Sequence, residues 1–290
     1  MSTALRLAPV WPGGLIEPAP ISDRELAAVI DLVYRKSGIT LHDGKRALVT
    51  ARLQKRLKAL GVRSYSDYLA ALERDVEGGE LVMLLDAIAT NHTSFFREPQ
   101  HFDLLRQKVV PDVLARGLPT VDVWSAACSS GEEPYTLAMV LDEAMAGARA
   151  PGVRILASDL STKVLAAATR GIYKLERVRD IPQPLLRKYF EKGAGAQEGL
   201  ARVRSAIRQR VRFEQRNLLE IGDLGTRFAV IFCRNVMIYF DRPVQQRVVS
   251  MLERHLRPGG YLFISHSESL NGITHDLRWV APAVYKRRDP

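Results

Sequence analysis

Residues 120–140, TVDVWSAACSSGEEPYTLAMV, constrain the fold more than any other stretch of the chain. A strand-like run at 121–124 breaks into very small residues at 125–131. A helix with apolar periodicity, carrying Tyr135, Leu137, Ala138 and Leu141, then follows Glu132 and Glu133. Strand, small-residue loop and helix in that order bring the backbone of an α/β fold against a nucleotide-like ligand. The loop has one glycine, Gly131, so it is not a G-x-G-x-x-G dinucleotide fingerprint, and it lacks the Gly-Lys-Ser/Thr of a P-loop. Two carboxylates stand where a phosphate binder would want none. A ligand with a cationic end suits this loop, and S-adenosylmethionine, with its ammonium and sulfonium, is the leading candidate. An ordinary strand–turn–helix is the bland alternative.

The rest of the chain divides around this unit. Residues 1–21 are rich in Pro and Gly without periodicity and are expected to form a flexible tail. Ser22-Asp23-Arg24-Glu25 has capping-box spacing, and Leu26, Val29, Ile30 and Val33 follow at helical intervals. Further helices are expected at 43–60, 64–74 and 79–90, with no strand before 120, so 22–92 reads as an all-helical N-terminal domain. After Pro119, strand-like runs at 121–124, 153–158, 211–213, 228–233 and 260–265 alternate with helices at 133–146, 161–169 and 242–256. That rhythm predicts a mostly parallel, Rossmann-like sheet covered on both faces, over 93–290. Pro258-Gly259-Gly260 reads as a tight turn before the last strand. Residues 172–210, with two prolines, a Gly193-Ala194-Gly195 turn and many arginines, read as an inserted β-subdomain.

Charge and cysteine content narrow the setting. No apolar run approaches the ~20 residues of a membrane span. Cys128 and Cys233 stand alone, so neither a disulfide nor a zinc site is expected, and a reducing cytoplasm is the natural home. A net charge of +10 points to an acidic partner: nucleic acid, an anionic surface or an acidic protein.

Active groups in open α/β sheets sit at the carboxyl ends of strands. Asp159 ends the strand at 153–158 and suits a ribose diol, because a carboxylate accepts two hydrogen bonds at once. Capping of the next helix by Asp159 or Ser161 is the competing role. Asn217-Leu218 falls where an adenine contact is expected. The strand at 228–233 runs into Arg234, Asn235 and Tyr239, an arginine, an amide and a phenol within six residues. In TNHTSFFRE, residues 90–98, Phe95 and Phe96 are expected to pack while Asn91, Thr93 and Arg97 face a cleft. Neither the Asn-Pro-Pro-Tyr of amino-methylating DNA enzymes nor the Pro-Cys of cytosine C5 enzymes is present.

NHTSFFRE, WSAACSSGEEPYTLA, ASDLS, RNLLE, FCRNVMIYFD and LRPGGYLFISHSES, in this order, resemble the chemotaxis receptor glutamate O-methyltransferases of bacteria, the CheR family, over about residues 22–287. The resemblance implies a protein-glutamate methyltransferase that uses S-adenosyl-L-methionine, releases S-adenosyl-L-homocysteine and forms glutamate γ-methyl esters on chemotaxis receptors. It implies a cofactor pocket lined by Asn91, Thr93, Arg97, Glu133, Asp159, Asn217, Leu218, Arg234 and Asn235, with Arg97 and Tyr239 flanking the transferable methyl. The motif leaves open which of Glu132 and Glu133 meets the methionine amine, and Glu133 is favoured. In some members the subdomain matching 172–210 captures a short peptide at the receptor's C-terminus. A monomer without metal, membrane insertion or nucleic-acid partner is expected.

Between Asp43 and Asp67 lie seven basic residues and no acid. Lys45, Arg52 and Arg56 fall within about 40° on a helix of ~100° per residue, beside an apolar stripe of Val49, Leu53, Leu57 and Leu60. Lys45, Arg46, Arg52, Lys55 and Arg56 are therefore expected to dock on an acidic receptor helix bundle. A solvated face is the bland alternative. A methyltransferase for another acceptor (nucleic acid or small molecule) and a non-catalytic cofactor sensor are the competing functions.

Overall fold

Helical periodicity in the first ninety residues and β/α alternation after Pro119 give a helical core and a sheet with a core on each face, meeting along one seam. The computed structural model describes residues 20–41, 43–76, 78–146 and 152–289. Residues 1–19 of the expected tail lie outside the described residues. Ile21, at the end of that tail, is buried in the helical core, so the ordered chain begins before residue 22.

Helix α1 (Asp23–Ser37) opens with the capping box, Ser22 and Glu25 each satisfying the other's backbone N–H, and stops at Gly38, whose φ of 73° favours glycine. A 3₁₀ turn leads into α2 (Arg46–Leu60), and α3 (Tyr65–Arg74) and α4 (Gly79–Ile88) complete the group. Val29, Val33, Leu53, Leu57, Tyr68 and Leu84 are fully buried among these helices.

Two short helices, α5 (Pro99–Leu104) and α6 (Val110–Ala115), joined by a π turn at Leu105–Val109, were not expected from the sequence. Pro99 opens the first, and Pro111 removes the N–H that would continue an α ladder into the second. The interruption hides a continuous apolar face, Phe102, Leu105, Val109 and Val113, all buried.

The main sheet then forms: β1 (Thr120–Ala126), α7 (Glu132–Ala144), β2 (Gly152–Asp159), α8 (Thr162–Arg170), the insertion, β6 (Val211–Gln215), β7 (Phe228–Cys233), α12 (Arg242–His255), β8 (Leu256–Phe263), β9 (Leu277–Ala281) and β10 (Val284–Arg287). The insertion holds β3 (Ile172–Lys174), α9 (Leu175–Val178), α10 (Gln183–Tyr189), β4 (Phe190–Lys192), β5 (Leu200–Val203) and α11 (Ser205–Arg208). The seven strands lie in the order β6-β2-β1-β7-β8-β10-β9, parallel as far as β8 and antiparallel through the last two. Along β1, Val123 and Trp124 enter different apolar clusters on opposite faces of the sheet. β3-β5-β4 form a separate antiparallel sheet.

Two expectations need correction here. Pro258-Gly259-Gly260 is not a turn before a strand. It lies within β8, whose register on β7 jumps from Phe228↔Leu256 to Val230↔Tyr261. A Cβ at Gly260 would stand 3.0 Å from the Phe228 carbonyl oxygen, so the bulge requires glycine there. Second, β9 and β10 form a C-terminal hairpin that the sequence reading missed, because LRWVA and VYKR are short and carry arginines.

Chain order reverses direction between β1 and β7. Ligands bind at such switch points, outside the carboxyl ends of the strands.

Candidate active site

At that reversal the ends of β1, β2 and β7 meet the helical group around a cavity of about 290 Å³. All nine residues expected in a cofactor pocket line it, from Asn91, Thr93 and Arg97 through Glu133, Asp159, Asn217 and Leu218 to Arg234 and Asn235, and Tyr239 does too. This is the size of a small-molecule cleft, with many polar and charged side chains set among apolar surface.

The loop after β1 is built by backbone conformation. Ala127, Ser129 and Gly131 have φ of 69°, 49° and 96°. Ser129 N–H donates to Asp159 Oδ2 at 2.8 Å, and Ser161 N–H donates to Asp159 Oδ1 at 2.9 Å, so Asp159 ties the two loops together. The helix-capping role falls to the Ser161 side chain. Both Asp159 oxygens keep lone pairs for a diol, and burial raises the carboxyl pKa above its ordinary value. Gly131 serves packing: a Cβ there would lie 2.8 Å from Ala168 Cβ and 2.9 Å from the Tyr173 hydroxyl.

The two glutamates that open α7 part company. Glu132 is fully buried, pairs with Arg177 of α9 and accepts from Ser130 Oγ at 2.7 Å. Glu133 lines the cavity, accepting from Ser125 Oγ at 2.8 Å and Arg234 at 3.0 Å. Burial raises its pKa against the pull of Arg234 and Ser125. Arg234 is 5% exposed. Its guanidinium also donates to the Arg97 carbonyl at 2.6 Å, lies 3.3 Å from Glu98 and sits over the Phe102 and Phe232 rings. It is a structural centre as much as a wall of the pocket.

On the other side Asn217 donates to the Lys36 carbonyl at 2.7 Å and accepts from Leu219 N–H at 3.1 Å, so its amide joins the cavity to the end of α1. Arg97 donates to the His92 carbonyl at 2.8 Å, and the Tyr239 hydroxyl makes no hydrogen bond among the described residues. Phe95 packs edge-on against Tyr173 and Phe190, as its aromatic character led one to expect.

The helical group's share was not legible in the sequence. Ile39 bridges Phe240, Thr40 N–H donates to the Tyr239 carbonyl at 2.8 Å, and the Tyr34 hydroxyl donates to Asp241 at 2.7 Å. Thr40 lines the cavity, and its Oγ1 is buried without a partner, a vacancy suited to a ligand's polar group. No spacing pattern relates residue 40 to residue 239.

Three of the five expected docking residues are otherwise engaged. Arg56 makes a two-pronged pair with Glu80 at 3.0 and 2.6 Å, reinforced by the Tyr68 hydroxyl. Arg52 donates to the Ile88 and Ala89 carbonyls at the end of α4, and Arg46 to the Ile21 carbonyl and Asp23. The acids absent from α2 are supplied by its neighbours, so these arginines hold the helical group together. Lys45 and Lys55 remain exposed, and Lys45 also lines the cavity.

Among the described residues, one trio with metal-type donors occurs: Glu98, His101 and His266 lie with ligand atoms within 4.8 Å of one another. The imidazoles stack 4.4 Å apart and 9° from parallel. A metal lies near the plane of each ring that binds it, which two stacked rings do not allow together, so the trio does not form a metal site.

Two family models account for nearly all of the described chain: "CheR methyltransferase, all-alpha domain" over residues 24–89 and "CheR methyltransferase, SAM binding domain" over 91–285. The chain belongs to the CheR methyltransferase family. It is 40% identical over 286 residues to a chemotaxis protein methyltransferase of Klebsiella aerogenes, covering 98% of this chain and 96% of that protein. It is 43% identical over 258 residues to chemotaxis protein methyltransferase 2 of Pseudomonas aeruginosa, covering 89% and 90%. The Escherichia coli chemotaxis protein methyltransferase is 38% identical over 273 residues, covering 93% of each.

As a CheR methyltransferase the chain is an S-adenosyl-L-methionine-dependent enzyme with a Rossmann-like catalytic fold. Its cavity fits that cofactor: one carboxylate for an ammonium, a second for a diol, an unpartnered buried hydroxyl and apolar walls. No helix among the described residues is long and apolar enough to cross a membrane.

Proposed function

We propose that the protein methylates glutamate side chains of chemotaxis receptors. The observation that carries this reading is that Arg97, Tyr239 and Lys45 line the same cavity as Glu133 and Asp159. Carboxylates on one part of the wall suit a cationic cofactor, and cations on another suit an anionic acceptor.

In this reading Glu133 receives the methionine ammonium, Asp159 the ribose hydroxyls, and the Asn217–Leu218 segment the adenine. Thr93, Asn91, Arg234 and Asn235 complete the pocket. Bound there, S-adenosyl-L-methionine would supply an electrophilic sulfonium methyl for a glutamate carboxylate, the products being S-adenosyl-L-homocysteine and a γ-methyl ester. A glutamate of pKa about 4.3 is ionised at neutral pH, so the protein need supply no general base. Its residues contribute orientation. Arg97 steers the carboxylate while its guanidinium is held by the His92 carbonyl. Tyr239, with its hydroxyl unengaged, positions the reacting groups. The helical group, residues 22–92, presents Lys45 and Lys55 to the acidic receptor bundle in the cytoplasm, and the inserted subdomain, 172–210, offers a second contact for a receptor tail peptide.

Incubation with methyl-tritiated cofactor and receptor-containing membranes tests the acceptor. Base-labile label on receptor, released as methanol, is expected. Label on nucleic acid, or cofactor binding without transfer, would replace this reading with another methyltransferase or a sensor. Arg97→Ala and Tyr239→Phe should both fold and both turn over slowly; full activity in both removes them from the mechanism.

A further inference from the structure

The segment Ser265–His266–Ser267–Glu268 follows β8 and does not itself line the cavity, yet it is bonded to the loop that carries Arg234, Asn235 and Tyr239. Glu268 Oε1 accepts from the N–H groups of Val236 at 2.9 Å and Met237 at 2.8 Å. These donors begin the 3₁₀ turn Met237–Tyr239, and a helix's first N–H groups have no partner within the helix. The other oxygen, Oε2, accepts from Ser265 N–H at 2.7 Å, anchoring the carboxylate to the end of β8.

A second carboxylate grips the preceding residues. Glu98 lies 3.3 Å from the Arg234 guanidinium, accepts from Asn235 Nδ2 at 3.3 Å and from Ser265 Oγ at 2.8 Å, and is met by the His266 N–H at 3.2 Å and the His266 Nδ1 at 2.8 Å. Ser265 Oγ in turn accepts from Asn235 Nδ2 at 2.6 Å. Asn235 has a φ of 58°, a conformation that persists where surrounding contacts over-determine it. The loop is thus held at two levels. Glu98 fixes the side chains of Arg234 and Asn235, and Glu268 fixes the backbone from which Tyr239 projects.

We propose that Glu268 is a positioning residue of the methyl transfer, acting through the Val236 and Met237 amides to set Tyr239, while Glu98 and the Ser265 hydroxyl hold the cofactor side of the same loop. The inference rests on the acceptor reading above for its kinetic consequence alone. The division of labour has a signature that a merely stabilising residue would lack: loss of Glu268 lowers turnover and spares cofactor affinity.

The test is Glu268→Ala, with Glu268→Asp as the second variant should the first fail to fold. Ala removes both acceptor oxygens; Asp keeps the charge but is one methylene too short to reach Val236 and Met237 while holding Ser265. Three readouts are taken beside wild type: deuterium uptake of peptides spanning 234–240, cofactor Kd by calorimetry, and kcat on receptor membranes. Uptake at 234–240 should rise while peptides of α2 and β1 stay unchanged. Turnover should fall about ten- to hundred-fold, the scale of an ångström-level misplacement, with Kd changed less than about three-fold. Unchanged uptake at 234–240 overturns the brace whatever the acceptor is, and raised uptake with unchanged kcat overturns its positioning role. A wild type that does not label receptors defeats the acceptor reading instead, and the exchange measurement still decides whether Glu268 holds the loop.

Discussion

Arg234 and Arg56 look alike in a sequence, each a basic residue near other polar ones, and the fold makes them opposites. Arg234 stands at the switch point between Glu133 and Glu98, and its pairing shapes a cavity wall. Arg56 stands on α2 against Glu80 and Tyr68, and its pairing closes a small helical core. Both partners lie far along the chain, 101 residues away for Glu133 and 24 for Glu80. The exposed cations nearby, Lys45 in the turn before the helix and Lys55 and Lys58 on it, have no such partner among the described residues, and they are charges left for another molecule. A charge run therefore reports how many cations a segment has, and only the fold reports how many are free.

The largest effect should come from breaking the first pair. Arg234→Ala leaves Glu133 and Glu98, whose side chains are only 13% and 19% exposed, without their counter-charge, a loss of about 3 kcal/mol. Chemical denaturation should show it, and calorimetry should find no cofactor binding in the fraction that stays folded. Retained affinity within ten-fold would mean that Glu133 does not depend on Arg234 for its place.

Next comes the second pair. Arg56→Glu sets a like charge against Glu80 in a site where the two side chains are 17% and 11% exposed. The helical group should lose about 3 kcal/mol, read as a lower Tm, with cofactor Kd per folded molecule rising only as far as Thr40 and Ile39 are disturbed. Lys45→Glu with Lys55→Glu should behave the other way. Tm should hold while KM for receptor rises by about 0.5–1 kcal/mol equivalent per charge, an effect that shrinks in high salt. An unchanged KM would remove Lys45 and Lys55 from receptor docking.

The same contrast explains how far the sequence could be read. β1, the small-residue loop and α7 are local, so residue size, alternation and the two glutamates announced them. The cavity residues followed because strand ends at a topological switch are where polar groups converge, and motif resemblance named them one by one. Pairing was out of reach. Glu132 and Glu133 are neighbours with the same side chain, and only the positions of Arg177 and Arg234 decide that one is structural and the other faces the cavity. Glu98 and Glu268 lie within recognisable motifs, yet no spacing assigns them a role, since their partners come from Arg234 through Ser265. The hairpin of β9 and β10 escaped for another reason: an edge pair needs few apolar residues, and periodicity is weak there.

The smallest effect separates the two regions by pH. Glu25 and Glu98 are both held down to about 2, below the 4.5 of an ordinary glutamate. For Glu98 burial opposes ionisation, and the Arg234 charge with hydrogen bonds from Ser265 and His266 overcomes it. For Glu25 the cause is hydrogen bonds alone, from the Ser22 side chain and backbone and from Ser66. A carboxyl with a depressed folded-state pKa contributes stability that is complete above 4.5 and is lost as pH falls toward 2. Glu25→Gln should therefore flatten the acid limb of the stability profile in that window and leave stability at neutral pH lower by a small amount. Because short hydrogen bonds are not screened as long-range charge is, the Glu25 contribution should persist at high salt. A Glu25→Gln profile that converges with wild type on adding salt would mean that Glu25 acts as a charge near the α1 N-terminus, and that the capping box is not its source.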